Sequence, residues 1–248
     1  MILTKVLVFD VETSPIKAYV WGLKDQFISL NQIIEDWKII AWGAKWLGEK
    51  EVFYADLSKK TERALLKDIW KLLDKADIVI TQNGKSFDSK RLNARFIHYK
   101  MLPPSPYKHI DTYLLVKSAA DFTSNKLEYL TDKLCTKYKK LSHSQFPGMS
   151  LWSECLKGNK KAWAVMKEYN IHDVLSTEEL YQAVKAWGPQ NMPRVYSELL
   201  KCSACGSSAQ RRGTEIKGKT LVQRTRCINP MCGKWGTELL SKGAIKHA

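Results

Sequence analysis

Short apolar runs and apolar residues at helical spacing alternate along the first three quarters of the chain. Runs rich in β-branched and aromatic residues at 2–9, 39–47 and 77–81 predict buried strands. The second run passes through the turn-like residues 48–50 into another apolar run at 52–55, which predicts a hairpin. The sequence therefore begins with sheet-forming segments.

Helical periodicity dominates the stretches between and after these runs. Apolar residues recur every three or four positions over 61–76, which predicts an amphipathic helix. Further helices are predicted over 88–100, 111–120, 126–138 and 160–187, and the last span is long enough for two helices. Strands followed by alternating helices and strands favour an α/β fold, with helices on both faces of a mixed sheet.

A change in composition near residue 188 divides the chain. The segment Gly-Pro-Gln-Asn-Met-Pro at 188–193 interrupts the helical pattern and predicts a linker over 188–200. It would join a large domain at 1–187 to a small cysteine-bearing domain at 201–248. At 248 residues the chain is long enough for such a pair of domains.

The charge is strongly positive and unevenly distributed. The formal net charge is +15, and residues 201–248 hold ten Lys or Arg against two Glu. Such an excess predicts a polyanionic partner, with nucleic acid first. An anionic membrane surface is the weaker alternative, because no basic amphipathic helix stands out.

Nothing in the sequence predicts export or membrane insertion. The longest apolar run, at 39–44, is too short to span a bilayer. The first residues lack a basic segment followed by an apolar one, which predicts a cytoplasmic protein.

Four acids and a tyrosine are the candidate catalytic residues. Asp10 and Glu12 stand two apart in a strand, so both side chains point to one face, although a solvated strand end has the same pattern. Asp88 follows the strand at 77–81 and fits a metal ligand or a helix N-cap. Tyr169 and Asp173 share a helix face, where the tyrosine could also be a core residue.

Four carboxylates in one pocket would repel one another unless cations lay between them. Hard oxygen ligands of this kind suit Mg²⁺ or Mn²⁺. A pair of such ions cleaves phosphodiesters, which predicts a nuclease.

The order of the motifs resembles the DEDD superfamily of 3′–5′ exonucleases. The chain has Asp-Val-Glu-Thr at 10–13, Asn-Gly-Lys-Ser-Phe-Asp at 83–88 and Tyr-Asn-Ile-His-Asp at 169–173. The second motif is similar to that of the proofreading domains of family B DNA polymerases. The third resembles the DEDDy branch, since Glu168 stands where a histidine branch would place its histidine. More loosely, residues 109–112 and the helix after 125–127 also resemble this family.

The resemblance implies an RNase H-like fold with a mixed five-stranded sheet. Asp10, Glu12, Asp88 and Asp173 would then hold two Mg²⁺ or Mn²⁺ ions. Tyr169 would orient the attacking water, and the product would be a 5′-mononucleotide released from a 3′ end.

The same resemblance implies a set of substrate-binding residues: Thr13, Asn83, Phe87, Asn125 and Leu127. Phe87 could instead be a core residue. Lys126 departs from the family, which tends to place Ser or Thr before the leucine that starts the substrate-binding helix. Proofreading domains are usually joined to a polymerase, and none fits here, so the protein would act alone or with a DNA polymerase made separately.

Two pairs of cysteines predict a metal site near the C-terminus. Cys202 and Cys205 precede Gly206, and Cys227 and Cys232 precede a second glycine, with 21 residues between the pairs. Four thiolates at this spacing suit tetrahedral Zn²⁺ in a structural site, and the segment looks like a zinc ribbon. A redox pair and an iron–sulfur cluster are the alternatives.

Basic residues crowd the predicted ribbon, and they would either bind phosphates or form a solvated basic face. They are Arg211, Arg212, Lys217, Lys219, Arg224 and Arg226. Trp235 could stack on a base or pack beneath the hairpin.

Three functions therefore follow from the sequence. A DNA exonuclease leads, an exoribonuclease with the same site is the alternative within nucleases, and a non-catalytic adaptor that binds nucleic acid through its ribbon belongs to another class.

Overall fold

The computed structural model of the chain describes residues 5–139, 141, 145–189, 200–217 and 220–239. Its strands are β1 (Val6–Thr13), β2 (Lys17–Ala18), β3 (Ile33–Glu35), β4 (Ile39–Trp46), β5 (Phe53–Asp56), β6 (Ile78–Thr81), β7 (Lys108–Asp111), β8 (Ala209–Lys217), β9 (Thr220–Cys227) and β10 (Trp235–Leu239). Its helices are α1 (Glu62–Asp74), α2 (Asp88–His98), α3 (Thr112–Ala119), α4 (Leu127–Leu134), α5 (Ser150–Leu156) and α6 (Lys160–Val184). In these ranges no helix has both the length and the apolar character needed to cross a bilayer.

The central sheet has five strands in the order β5-β4-β1-β6-β7. The β5-β4-β1 part is antiparallel, whereas β1, β6 and β7 are parallel, so the sheet is mixed. This confirms the predicted fold class. Helices cover the middle strand β1 on both faces of the sheet, which explains why its first half is an uninterrupted apolar run.

The alternation of side chains along β1 decides which face carries the acids. Leu7, Phe9 and Val11 pack in one apolar cluster with residues of α1 and α2. Val6 and Val8 pack in a second cluster with residues of α6. Because side chains alternate along a strand, the even-numbered Asp10 and Glu12 share the α6 face.

The last helix of this domain is a single element. The predicted span 160–187 folds as α6 followed by one turn of 3₁₀ helix at Lys185–Trp187. Buried residues recur along α6 at intervals of three and four, from Ala162 to Val184, as expected for a helix that lies across a sheet. Tyr169 and Asp173 belong to this buried stripe.

Several elements differ from the sequence-based predictions. Strand β7, helix α5 and the two-stranded β2–β3 pair were not predicted, and they are all short. The helix predicted over 126–138 ends at Leu134. Short edge elements offer little periodicity, so composition alone does not reveal them.

The C-terminal segment forms its own three-stranded antiparallel sheet, in the order β10-β9-β8. The cysteine cluster with these small strands agrees with the predicted ribbon module. Most of the predicted linker, residues 190–199, lies outside the described residues, as does Lys219.

A buried carboxylate connects three elements on the α1 face of the sheet. Glu62, at the start of α1, accepts hydrogen bonds from the Ile39 amide at 2.8 Å and the Tyr99 hydroxyl at 2.9 Å. Arg95 Nε and Nη2 donate to the same carboxylate at 2.7 and 2.5 Å. Glu62 is 7% exposed, so loss of its charge would leave Arg95 without its partner in a poorly hydrated site.

We predict that Glu62→Ala lowers the free energy of unfolding by about 3–5 kcal/mol, since it removes one partner of a buried ion pair. Urea unfolding followed by circular dichroism would measure the loss. Glu49→Ala, at an exposed turn position, is the matched control and should change stability by less than about 0.5 kcal/mol. Equal stability of the two variants would contradict the role of Glu62.

Candidate metal centre and active site

Three of the predicted acids lie together where β1 meets α6. Asp10, Glu12 and Asp173 can each present a carboxylate oxygen within 4.8 Å of the other two. Asp173 is buried, and the two acids of β1 are partly exposed. Repulsion between carboxylates at this distance raises the free energy of the folded state. Three hard oxygen donors this close together fit a divalent cation.

Two neutral side chains hold the acids of β1 in place. Asn170 Nδ2 donates to Asp10 Oδ2 at 2.7 Å, and Trp152 Nε1 donates to Glu12 Oε2 at 3.1 Å. Gly43 lies opposite Asp10 in the sheet, where a Cβ atom would come within 2.6 Å of Asn170 Oδ1. Glycine at this position therefore allows Asn170 to reach Asp10.

Sequence reasoning missed both of these donors. Asn170 is adjacent to Tyr169 and is fully buried. A polar residue inside the apolar stripe of a helix needs a hydrogen-bond partner, and this could have indicated its role. Trp152 lies on α5, a helix that the sequence did not reveal, and no local pattern indicates its contact with Glu12.

A bulge at the end of β1 separates Glu12 from Thr13. Glu12 pairs with Ala41, but Thr13 pairs with Ile39, so the register shifts by one residue. Bulges reorient side chains and often lie beside active sites. Thr13 consequently leaves the regular ladder directly next to the acidic cluster.

Asp88 lies beside this cluster but is not one of the three mutually close ligands. Its Oδ1 accepts the amide of Val11 at 3.0 Å, between the two acids of β1. Phe87 is the N-cap of α2, so Asp88 is the first helical residue and not a cap. Burial, followed by the negative charges of Asp111 and Asp173, raises the pKa of Asp88 to about 7.

Asp111 organises the turn that leads to Asp88. Its Oδ1 accepts the Asn83 amide at 2.9 Å, and its Oδ2 accepts the Lys85 amide at 3.0 Å. The same carboxylate caps α3 through the Tyr113 amide at 3.0 Å. The sequence contained one indication of the role of Asp111, namely the loose resemblance of residues 109–112 to the DEDD family.

Tyr169 is buried within the acidic site. Its ring packs edge-on against Trp152, with the centroids 6.2 Å apart. Burial, then the charges of Asp173, Glu12 and Asp10, and a hydrogen bond with Asp173 raise the pKa of Tyr169 far above its ordinary value. The phenol therefore stays protonated at neutral pH and can donate a hydrogen bond.

The four clustered cysteines form a second potential metal site. Their sulfur atoms lie within 4.8 Å of one another, with Cys202 and Cys232 at 3.8 Å and Cys205 and Cys227 at 3.5 Å. Burial raises the pKa of the Cys205 thiol, but hydrogen bonds with Ser207, and then with Cys227 and Cys232, lower it to about 6.

The turns of this site have the expected backbone. Gly206 and Gly233 follow the second cysteine of each pair and adopt φ values of 73° and 58°. These values lie in the left-handed region, where glycine avoids the strain of a Cβ atom. The donor set and its turns fit a closed tetrahedral metal site.

Comparison with known families agrees with this fold and site. A family description for the RNase_H superfamily matches residues 37–185, which is more than half of the chain. The chain belongs to the RNase_H superfamily. Membership supports nuclease activity in general terms, and RNase H-like nucleases use divalent metals.

A solved structure similar to this RNase_H superfamily chain is the family B DNA polymerase from the hyperthermophilic archaeon Pyrobaculum calidifontis. The TM-score is 0.53 at 12% sequence identity, and the match covers 87% of this chain. It covers only 31% of the polymerase, and at this identity the likeness concerns the fold alone. No curated protein matches the chain.

Two residues implied as substrate contacts belong to the 83–88 turn, which ends at Asp88. Phe87 is 37% exposed, and the Arg91 guanidinium lies 5.1 Å from its ring centroid and 4.2 Å from that of Trp37. Asn83 adopts a φ of 62° and accepts the Ser86 hydroxyl through its side chain at 2.7 Å. Phe87 is therefore a surface aromatic, and Asn83 shapes the turn.

The other two implied contacts lie at the start of α4. Asn125 accepts Gln82 Nε2 through its backbone carbonyl at 2.9 Å, whereas Leu127 begins the helix and is partly buried. Lys126 occupies the N-cap without a capping hydrogen bond from its side chain. The departure from Ser or Thr therefore leaves this helix end without the usual side-chain cap.

Trp235 of the C-terminal sheet is 47% exposed. The guanidinium groups of Arg224 and Arg226 lie 5.9 and 5.6 Å from its ring centroid. The ring thus forms part of a basic surface rather than the interior of the module.

The raised pKa of Asp88 predicts how stability depends on pH in metal-free protein. The folded state retains this proton up to about pH 7, whereas an unfolded aspartate loses it near pH 4. The contribution of Asp88 to stability therefore falls as the pH rises through this window. Asp88→Asn keeps an acceptor for the Val11 amide and removes the charge.

We predict that Asp88→Asn stabilises the chelator-treated protein relative to wild type at about pH 8, by at least about 1 kcal/mol. The difference should shrink toward pH 4. Urea unfolding across this pH range would measure it, with the exposed Asp121→Asn as control. A pH profile for Asp88→Asn that parallels wild type would contradict the prediction.

Proposed function

We propose that the chain is a metal-dependent exonuclease that hydrolyses DNA from the 3′ end and releases 5′-mononucleotides, with single strands preferred. The observation that carries this proposal is the close group of Asp10, Glu12 and Asp173, with Tyr169 buried in the same site. The motif resemblance at 10–13, 83–88 and 169–173 supports the 3′–5′ direction.

Asp10, Glu12, Asp88 and Asp173 would hold two Mg²⁺ or Mn²⁺ ions. When bound, such ions supply an activated water and offset charge on the departing 3′ oxygen. Asn170 and Trp152 fix the orientation of the β1 acids by donating hydrogen bonds to them. Their neutral donors lower the repulsion without competing for the cations.

Tyr169 would position the attacking water. Tyrosine ordinarily has a pKa of about 10, so the phenol is protonated at neutral pH and is poorly suited to take a proton from water. A protonated hydroxyl can still donate and accept hydrogen bonds, which fixes the direction of attack.

DNA is the favoured substrate over RNA. The motif at 83–88 is similar to that of the proofreading domains of family B DNA polymerases. An exoribonuclease with the same site is the alternative. The adaptor hypothesis has less support, because the acids and Tyr169 are all present and lie at one site.

The domain arrangement belongs to this proposal. Residues 1–187 would form the exonuclease, 188–200 the linker and 201–248 a ribbon with one structural Zn²⁺. The basic residues around Trp235 would add affinity for the phosphate backbone. A separately made DNA polymerase is the expected partner if the enzyme proofreads, and repair and DNA degradation are the other pathways.

We expect wild-type protein with Mg²⁺ or Mn²⁺ to shorten a 5′-labelled single-stranded DNA stepwise. Asp10→Ala should lower this rate by several orders of magnitude, because it removes a ligand of the proposed ions. Tyr169→Phe keeps the buried ring and should lower kcat by up to about 10²-fold through loss of water positioning.

Asp121→Ala, at an exposed acid outside the site, is the matched control and should leave the rate unchanged. The same sequence as RNA identifies the substrate, and digestion of RNA alone would replace DNA in the proposal. Binding without digestion of either strand, unaffected by Asp10→Ala, would favour the adaptor.

We predict one zinc ion per chain, released when Cys205→Ser removes a ligand. Because metal binding supplies most of the folding free energy of so small a module, the variant should lose the ribbon and bind DNA about tenfold more weakly. Metal analysis and fluorescence anisotropy would measure both effects. Full zinc occupancy in Cys205→Ser would contradict the assignment, and Cys135→Ser serves as a control outside the cluster.

A further inference from the structure

A cavity lies on the α6 side of the sheet, apart from the acidic cluster. Its volume is about 720 Å³, within the usual range for small-molecule sites. It lies between the end of β5, helix α5 and the beginning of α6. None of the candidate catalytic residues lines it.

The charge of the cavity wall is positive. Lys38, Lys59, Lys160 and Lys167 line it, against the single acid Asp56. Lys38 is paired with a neighbouring glutamate at 2.7 Å. The other three lysines make no ion pair within the part of the chain that the structure describes, so their charges are available to an anionic ligand.

Asp56 is already engaged by the protein. Its Oδ1 accepts the amide of Ser58 at 2.9 Å and the Ser58 hydroxyl at 2.5 Å. Its single negative charge is outnumbered by the three lysines of the lining that make no ion pair among the described residues. The lysines therefore determine the sign of the ligand.

The cavity also has an apolar surface. Leu57, Leu156 and Trp163 line it, and Trp163 belongs to the apolar cluster beneath α5. Lys167, one turn of α6 beyond Trp163, lines the same cavity, so a cation lies beside this apolar surface. Apolar surface next to these cations matches a ligand that has both a ring and a phosphate.

One short helix separates the cavity from the acidic cluster. Trp152 of α5 donates its hydrogen bond to Glu12, while Cys155 and Leu156 of the same helix line the cavity. Both sites therefore border α5, so a nucleic acid strand that runs along this helix from the acids would meet the cavity. Cations placed along the path of the strand would supply the backbone contacts that the acids cannot make.

We propose that this cavity binds a nucleotide unit, with its phosphate at Lys59, Lys160 and Lys167 and its base or sugar on the apolar surface. The proposal rests on the proposed nuclease function. Two sources share this chemistry: the strand under digestion, and a free 5′-mononucleotide such as the product.

The decisive variant is Lys160→Ala combined with Lys167→Ala, two exposed changes that leave the apolar core intact. Binding of a labelled single-stranded DNA is measured by anisotropy in the Asp10→Ala background at several salt concentrations. We expect binding about tenfold weaker, and a salt slope reduced by about 0.7 for each phosphate that the protein no longer neutralises. A purely structural role would not change the salt slope.

Lys67→Ala combined with Lys71→Ala is the matched control, because it removes the same charge from exposed positions on α1, which packs on the opposite face of the sheet. It should keep the wild-type slope. Thermal unfolding of both double variants checks that each is folded.

Calorimetric titration of a 5′-mononucleotide into the same proteins separates the two sources. If the Lys160→Ala, Lys167→Ala variant loses only strand binding, the cavity binds the strand under digestion. If it also loses mononucleotide binding, the cavity binds a free nucleotide. Unchanged slope and unchanged mononucleotide binding would overturn the site, even if digestion is normal. Conversely, an inactive wild-type protein whose binding depends on these lysines would overturn the nuclease function and keep the site.

Discussion

Mutual repulsion among the carboxylates of β1 and α6 is the constraint on which the rest of the domain depends. Asp10, Glu12 and Asp173 come within 4.8 Å of one another, so the fold must hold them together against their charges. It does so by placing them on the central strand of the sheet and on a helix of 25 residues packed across it. Cations complete such an arrangement, since they turn the repulsion into attraction.

The positive charge of the whole chain complements this negative centre. Three close acids alone would repel a phosphodiester, whereas a net charge of +15 attracts a polyanion to the surface. Two groups of cations lie outside the acidic cluster, in the lysine-lined cavity behind α5 and on the ribbon around Trp235. Separation matters because a lysine among the acids would compete with the metal ions for the carboxylates.

The sequence predicted those parts of the site that local patterns encode. Period-two spacing placed Asp10 and Glu12 on one face, and helical spacing placed Tyr169 beside Asp173. It missed the contacts that join distant segments, such as Asn170 to Asp10 across 160 residues and Trp152 to Glu12 across 140. No periodicity reports such pairs, because each is decided by how α5 and α6 pack on the sheet.

Asp88 shows why residue type and spacing are insufficient even within a recognised motif. Its sequence context fitted a helix N-cap, a local role, yet its side chain bonds the Val11 amide 77 residues away. Asp111 makes this geometry possible by holding the amides of Asn83 and Lys85 in the preceding turn. That buried carboxylate also contributes to the raised pKa of Asp88, so the residue that positions the acid increases its affinity for a proton. Asp111 therefore affects both the position and the protonation of Asp88. It lies at the end of β7, a strand that the composition of the sequence did not reveal.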